Sequence, residues 1–339
     1  MAESIEDHLA IGSVVREQDA RFHPPADLDP LWCETNWFGF TIPEQRMRGF
    51  AYALFRTNLG VCRSMVQVFS RRQQHVLAMD YLRDEYHLPI PESDLDDFRL
   101  ANGLRVKMTK PLEEWTVRFD DGRGTCLDLV QTALMPPVSI TELAIPGSGA
   151  GYAVFQRHEA APMETGHIDQ TLHVEGEIAV NGRVLRVDFP SNRDHSWGPR
   201  REYGHNVMGN FDEAHFGERG RDRSFLMQTR NDTLERGTVT HGYLREGREV
   251  IPFRAGVGRY RFANWTLIAL EYELEDARGR THILRGEPIS TAESYQVNAF
   301  AVYGVVRWTL EGETGWGDFK WHWDVQKMQA AVRDGTFTL

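Results

Sequence analysis

Apolar and polar residues alternate along much of this chain with a period of two, which is the pattern of half-buried β-strands. Residues 171–180 are the clearest case, with apolar residues or glycine at the even positions and mostly polar residues at the odd positions. Asn181-Gly182 follows, and this pair predicts a tight hairpin turn because both residues tolerate positive φ. Residues 185–189 then predict the return strand.

Short apolar or aromatic runs between turn residues predict further strands. They cover residues 37–40, 49–55, 62–70, 74–81, 104–109, 114–119, 125–133, 225–230, 238–244, 249–253, 266–275, 281–285, 295–310 and 319–323. Helices are predicted only within residues 3–18 and 325–333. Many closely spaced turns and few helices favour an all-β sandwich or barrel.

The chain is too long for one small core, because it has 339 residues. A proline- and glycine-rich stretch at residues 146–151 interrupts the strand pattern a little before the middle of the chain. We therefore predict an N-terminal arm over residues 1–30, a first barrel-like domain over 31–150 and a second over 151–339.

Charge and cysteine usage narrow the class of protein. The net charge of -11 makes nucleic acid an unfavourable partner. The three cysteines are far apart with no CxxC pair, which indicates free thiols in a reducing, cytoplasmic setting. The acidic N-terminus is not a secretory signal, and no apolar stretch approaches the length of a membrane span.

One run concentrates the candidate chemistry: Arg-Asp-His-Ser-Trp-Gly-Pro-Arg at residues 193–200. In an extended chain, His195 and Trp197 point to one face while Asp194 and Ser196 point to the other. An imidazole beside an indole suits the handling of a developing cation on an apolar molecule. The structural alternative is that Asp194 pairs with a neighbouring arginine and Trp197 fills core.

Other kinds of site fit less well. His195, His205 and His215 recur at a spacing of ten, but zinc sites usually have closer pairs, so no metal is expected. Ser196 lacks a nucleophile-elbow context, and the glycines at 147–151 lack the rest of a phosphate loop, so no cofactor is expected. Acid–base chemistry remains, with His195 as its main residue and Asp194, Trp197, Tyr203 and Asp212 as further catalytic candidates.

The run at 193–200 and the hairpin before it resemble the carotenoid 1,2-hydratase (hydroxyneurosporene synthase)-like and AttH-like proteins. Aromatic stretches at 37–40 and 315–317 agree with that family's plan. The resemblance implies two consecutive lipocalin-like β-barrel or sandwich domains, a hydrophobic substrate and no cofactor. It also implies that His195 and Trp197 are catalytic residues. The family's hydratases also use a Tyr-x-Asp pair, which does not follow Trp197 here.

We therefore expect a cofactor-independent lyase or isomerase of the hydratase or cyclase kind, acting on an isoprenoid, terpenoid or polycyclic molecule. The alternative is a lipocalin-like carrier for an isoprenoid or steroid-like lipid, which the missing Tyr-x-Asp pair favours. Titratable groups that point into a cavity would favour the enzyme, and a purely apolar lining would favour the carrier. The sequence leaves the oligomeric state open, with a homodimer as one option.

Overall fold

Two large antiparallel sheets make up almost all of the chain, as the strand pattern predicted. The structure, a computed structural model, describes residues 14–23, 28–73, 75–148, 165–200, 208–263, 266–296 and 299–336. Within these ranges, no helix is both long and apolar enough to span a bilayer. The expectation of an all-β fold with two barrel-like parts is therefore confirmed.

The first sheet is a half-barrel of eleven described strands. Its strands are β1 (Trp32–Ile42), β2 (Met47–Arg56), β3 (Val61–Phe69), β5 (Tyr81–Pro89), β6 (Asp97–Arg99), β7 (Arg105–Lys110), β8 (Glu114–Asp120), β9 (Cys126–Ala133), β10 (Val138–Ser139), β11 (Gly166–Val180) and β12 (Arg183–Pro199). The strand order is β5-β3-β2-β1-β12-β11-β9-β8-β7-β6, and β10 pairs with β11. The long strand β12 therefore lies in the middle of this sheet, against β1.

The second sheet closes on itself. Its strands are β4 (Arg72–Gln73), β13 (Met208–Phe216), β14 (Arg223–Thr233), β15 (Arg236–Glu246), β16 (Glu249–Ala263), β17 (Thr266–Asp276), β18 (Thr281–Gln296), β19 (Ala299–Leu310) and β20 (Glu313–Asp324). Among the described strands, β17 pairs with β18, so that eight strands form a barrel, and β4 adds to β18 from outside. Helices are short: α1 (Ile140–Leu143) and α2 (Val325–Arg333), the latter with the predicted bounds.

Two strand predictions were wrong in detail. Residues 74–81 were predicted as one strand, but Val76–Ala78 forms a 3-10 helix and β5 begins only at Tyr81. Residues 295–310 were predicted as one long strand, but they belong to the end of β18 and to β19, which pair with each other. In both places the predominance of apolar residues hid the end of one element and the start of the next.

Each sheet encloses its own apolar core. Phe38, Phe40 and Trp115 are buried inside the half-barrel, whereas Tyr272 and Trp308 are buried inside the closed barrel. The β11–β12 hairpin belongs to the first sheet, and β13 belongs to the second. The chain therefore passes from the half-barrel to the closed barrel between β12 and β13. The predicted domains, an arm over residues 1–30 and two barrel-like domains that meet near residue 150, stay a prediction.

Candidate active site

Residues 193–199 lie in the last part of β12, between β1 and β11. His195 pairs with Asn36 of β1 and with Ile168 of β11. Side chains alternate along a strand, so His195 and Trp197 both point into the half-barrel, and their ring centroids lie 5.1 Å apart. The predicted shared face of these two residues is therefore confirmed.

Two histidines meet at one carboxylate beside this strand. Nε2 of His195 lies 3.4 Å from Oε2 of Glu34, and Nδ1 of His23 lies 3.2 Å from the same oxygen. Glu34 of β1 and His195 are fully buried, whereas His23 keeps 22% of its side chain exposed. We name His23, Glu34 and His195 the His–Glu–His group.

Glu34 is held as a carboxylate by the donors around it. Its Oε1 accepts the backbone N–H of His23 at 2.7 Å and the indole N–H of Trp32 at 3.3 Å. Burial raises the pKa of Glu34, but the interactions with His195 and His23 outweigh burial and lower that pKa to about 2. The half-barrel therefore contains a fixed negative charge at this point.

The backbone determines the tautomer of His195. Nδ1 lies 2.9 Å from the carbonyl oxygen of Asp19, and a carbonyl can only accept, so Nδ1 carries a proton. Burial lowers the pKa of His195, although the hydrogen bond with Glu34 opposes this change. The neutral ring that burial favours has a lone pair on Nε2, facing the carboxylate.

The ring of His23 lies flat on the indole of Trp197. The two ring centroids are 3.8 Å apart and the planes differ by 2°. Gly166 of β11 makes room for the indole, because a Cβ at this position would lie 2.1 Å from Cζ2 of Trp197. Nε2 of His23 has no hydrogen-bond partner among the described residues.

Residues 14–23 bring Asp19 and His23 to the sheet. The segment contains a 3-10 helix (Glu17–Ala20), and Ala20 is buried in the core of the half-barrel. The backbone N–H of Phe22 donates to Asp94 at 2.7 Å, and its ring packs edge-on against Phe55 at 5.3 Å. These contacts fix the segment across the end of β1 and β12, so that it completes the site.

The His–Glu–His group also has the composition of a metal site. One ligand atom from each residue lies within 4.8 Å of the other two. Two imidazoles and one carboxylate are a common ligand set for divalent transition metals.

Asp194 points to the opposite face of β12, toward the closed barrel. Its Cα partners are Trp37 of β1 and Asp169 of β11. Its charge helps to raise the pKa of Glu213 in β13 and opposes the lowering of the pKa of Lys320 in β20, which places it between the two sheets. Asp194 is therefore not brought together with His195.

Buried ionisable side chains fill this space between the sheets. We name Arg48, Asp169, Glu213, Asp318 and Lys320 the inter-sheet polar cluster. Arg48 and Asp318 form an ion pair at 2.8 Å, with 1% and 2% of their side chains exposed. Burial raises the pKa of Glu213 to about 8 and that of Asp318 to about 7, and it lowers the pKa of Lys320 to about 8.

Asp212 lies in a third place, inside the closed barrel. Tyr272 donates a short hydrogen bond to it, and Tyr260 lies 3.1 Å from Tyr272 between the hydroxyl oxygens. Burial raises the pKa of Asp212 well above its usual value. The structure thus separates Asp212 from His195, and the remaining candidate, Tyr203, lies outside the described residues.

Two of the cavities among the described residues are relevant to the site. One, beside α2 at an end of the barrel, has about 30 Å³ and is lined mainly by apolar residues such as Phe262, Trp321 and Trp323. The other is a cleft of about 510 Å³, whose walls include Phe189 and His215. His215 connects this cleft with the inter-sheet polar cluster, because its Nε2 lies 3.1 Å from Glu213.

The chain matches a family model described as a domain of unknown function, DUF7064, over residues 16–325. It belongs to the DUF7064 family. The matched range of this DUF7064 protein includes all of the His–Glu–His group and Trp197. No curated protein matches the chain in sequence.

Among the solved structures similar to this DUF7064 protein are a hydratase and an AttH-like protein. Kievitone hydratase from Nectria haematococca has a TM-score of 0.49 and 10% identity, with 86% of this chain and 88% of that chain covered. An AttH-like protein from Nitrosomonas europaea has a TM-score of 0.44 and 13% identity, with 86% of this chain and 91% of that chain covered. The resemblance to carotenoid 1,2-hydratase-like proteins stays a prediction.

Sequence reasoning missed two of the three members of the His–Glu–His group in this DUF7064 protein. Glu34 carried a usable signal, because it is an acidic residue at an inward-facing position of a strand that is buried throughout. His23 carried none, because it precedes the first strand and reaches the site only through the contacts of residues 14–23.

Proposed function

We propose that this protein is a lyase of the hydratase type, or a related isomerase or cyclase, that uses the His–Glu–His group to move a proton on a largely apolar small molecule. The observation that carries the proposal is the state of His23. One ring nitrogen lies against Glu34, and the other, Nε2, makes no hydrogen bond among the described residues and lies 3.8 Å from Oδ1 of Asp19. An imidazole oriented by a carboxylate, with its second nitrogen not hydrogen-bonded, is arranged for proton transfer.

The contacts of the His–Glu–His group suggest a role for each of its residues. In the hydration direction, charged His23 donates the proton on Nε2 to one carbon of a double bond, and water bonds to the cation that develops on the neighbouring carbon. That water then returns a proton to Nε2, so His23 regains its starting state and the product has gained one water. Glu34 stabilises the charged imidazole of His23, and Nε2 of His195 lies 3.4 Å from the same carboxylate oxygen.

Trp197 supports an apolar substrate. Its indole forms a flat wall next to His23, and an aromatic face also stabilises a cation that develops on a bound hydrocarbon. An isoprenoid, terpenoid or polycyclic molecule is the finer form of this proposal. Phe22, the residue before His23, packs edge-on against the buried ring of Phe55.

The carrier alternative receives less support. The apolar cavity beside α2 has about 30 Å³, which accommodates about one water rather than a lipid, and the cleft of about 510 Å³ has charged residues such as Arg186 and Asp188 in its walls. Titratable groups, rather than apolar side chains alone, surround Trp197.

Isotope incorporation tests the proposal even while the substrate is unidentified. Small molecules that co-purify with the protein would be identified by native mass spectrometry, then incubated with it in D₂O and in H₂¹⁸O. We expect deuterium uptake, with ¹⁸O uptake if water is added. His23→Gln and Glu34→Gln should lower the rate by about 10²-fold or more, which is the usual contribution of a general acid or base.

A matched control is His282→Asn, which removes another histidine paired with a carboxylate, 2.9 Å from Asp276 on the barrel. This control should keep the full rate. Equal rates for wild type, His23→Gln and Glu34→Gln on a converted substrate would contradict the assignment.

A further inference from the structure

Glu34 and His195 meet in a way that ordinary hydrogen bonding does not explain. The proton on Nδ1 of His195 is donated to the carbonyl of Asp19 at 2.9 Å. If the ring is neutral, Nε2 presents a lone pair to Oε2 of Glu34 at 3.4 Å. Two acceptors then face each other in a fully buried place, which is unfavourable unless a positive charge lies between them.

A proton is a poor candidate for that positive charge. The distance of 3.4 Å between Nε2 of His195 and Oε2 of Glu34 is long for a hydrogen bond between an imidazolium and a carboxylate, which usually measures about 2.7–2.9 Å. Glu34 already accepts two N–H groups at Oε1, which stabilises its ionised form. A metal ion would satisfy all the contacts at once, because a carboxylate and the lone pair of an imidazole are both ligands.

We infer that Nδ1 of His23, Oε2 of Glu34 and Nε2 of His195 bind one divalent transition-metal ion, of which zinc fits best. Zinc bonds of roughly 2.0–2.2 Å in a tetrahedral site separate neighbouring ligand atoms by about 3.3–3.5 Å. The two measured edges of the group are 3.2 and 3.4 Å, and one ligand atom from each of the three residues lies within 4.8 Å of the other two. Both measured edges are thus already close to the required spacing.

The surroundings also fit a metal site. A histidine that ligates a metal usually donates its other ring N–H to a backbone carbonyl or carboxylate, as His195 does to Asp19. Glu34 has a comparable outer shell, because Oε1 is held by the N–H groups of His23 and Trp32 while Oε2 is left for the ion. Two histidines and a glutamate leave a coordination position for water, as in catalytic zinc sites.

The inference goes beyond the proposed reaction and stands on ligand geometry alone. With the ion bound, Nδ1 of His23 is a ligand, and a metal-bound water becomes the group that exchanges protons at the same point. Metal binding is measured without turnover, so its outcome is independent of whether a substrate is found.

The test uses the full chain, freed of metal with a chelator and titrated with zinc chloride by calorimetry. Cobalt(II), whose visible spectrum reports tetrahedral coordination, serves as a second probe. We expect one ion per chain, and we expect Glu34→Gln and His195→Asn to weaken binding by at least about 100-fold. His167→Asn is the matched control, because His167 is a buried histidine 3.2 Å from Asp169 on the opposite face, and it should bind zinc like wild type.

Wild-type protein that takes up no ion, or variants that bind as tightly as wild type, would overturn the inference. If circular dichroism shows that the variants do not fold, X-ray absorption of the zinc-loaded wild type decides the question. Two imidazole nitrogens and a carboxylate oxygen around zinc support the inference, and any other protein ligand set overturns it.

Discussion

At the scale of single residues, Gly166 controls the position of Trp197. The indole occupies the space that a side chain at this position would need, with Cζ2 only 2.1 Å from the place of a Cβ. The stacking of Trp197 on His23 therefore depends on a glycine in a neighbouring strand.

Replacing Gly166 with alanine should push the indole off His23. We expect a loss of about 1–3 kcal/mol in the free energy of unfolding, as is usual for overpacking, and a changed near-ultraviolet circular dichroism signal. Gly279→Ala is the control, because Gly279 has open space around it and a φ of 75°. This control should lose stability through backbone strain and keep the tryptophan signal; an unchanged signal in Gly166→Ala would refute the packing argument.

At the scale of elements, strand β13 sends neighbouring carboxylic acids into different environments. Asp212 faces the barrel interior, and Glu213 faces the inter-sheet polar cluster. Burial raises the pKa of Glu213 from 4.5 to about 8, so the folded state keeps a proton that the unfolded state has already lost. Stability must therefore fall as the pH rises through this interval.

The contribution of Glu213 is read as the difference between wild type and Glu213→Gln, because Asp318, with a pKa of about 7, and Lys320, with a pKa of about 8, titrate nearby. Between about pH 5 and 7 the stability of wild type should fall relative to that of the variant by up to about 1.4 kcal/mol per pH unit, the value for one proton. Urea unfolding over this range measures the wild-type slope and its change. Asp128→Asn, at an exposed carboxylate, should keep the wild-type slope; a variant at position 213 with the wild-type slope would contradict the assignment.

Elements fixed by local chemistry could be predicted from the sequence, and long-range pairings could not. The turn at Asn181-Gly182 has φ values of 51° and 72°, as the residue pair predicted. The alternation around His195 correctly gave its shared face with Trp197. The pairing of β1 with β12 joins segments more than 150 residues apart, and no local pattern encodes it, so Glu34 could not be placed beside His195.

At the scale of the whole molecule, a buried ion pair joins the two sheets. Arg48 of β2 and Asp318 of β20 lie 2.8 Å apart, and the guanidinium also lies 5.6 Å from the ring of Trp37 and 5.7 Å from that of Tyr303. Loss of either partner would leave the other buried between the sheets. Stability of the half-barrel and of the closed barrel should therefore be coupled.

Asp318→Asn should lower the free energy of unfolding by about 3–5 kcal/mol when measured above the pKa of Asp318, because the charge of Arg48 stays buried without its partner. Tryptophan fluorescence and far-ultraviolet circular dichroism should shift to the same new midpoint, since both sheets are affected. The exposed pair Arg118–Asp128 offers a control, in which Asp128→Asn should change stability by less than about 1 kcal/mol. Separate midpoints would show that the sheets unfold independently.

The placement of residues 14–23 has a practical consequence for expression and truncation. A shortened protein that starts at Trp32 would retain every described strand of both sheets, but it would lose the packing of Ala20 and Phe22 against the half-barrel. It would also lack His23 and the carbonyl of Asp19, so one imidazole and the partner that orients the other would be gone. Trimming the chain back to the first strand would therefore remove the proposed site even though no strand is cut.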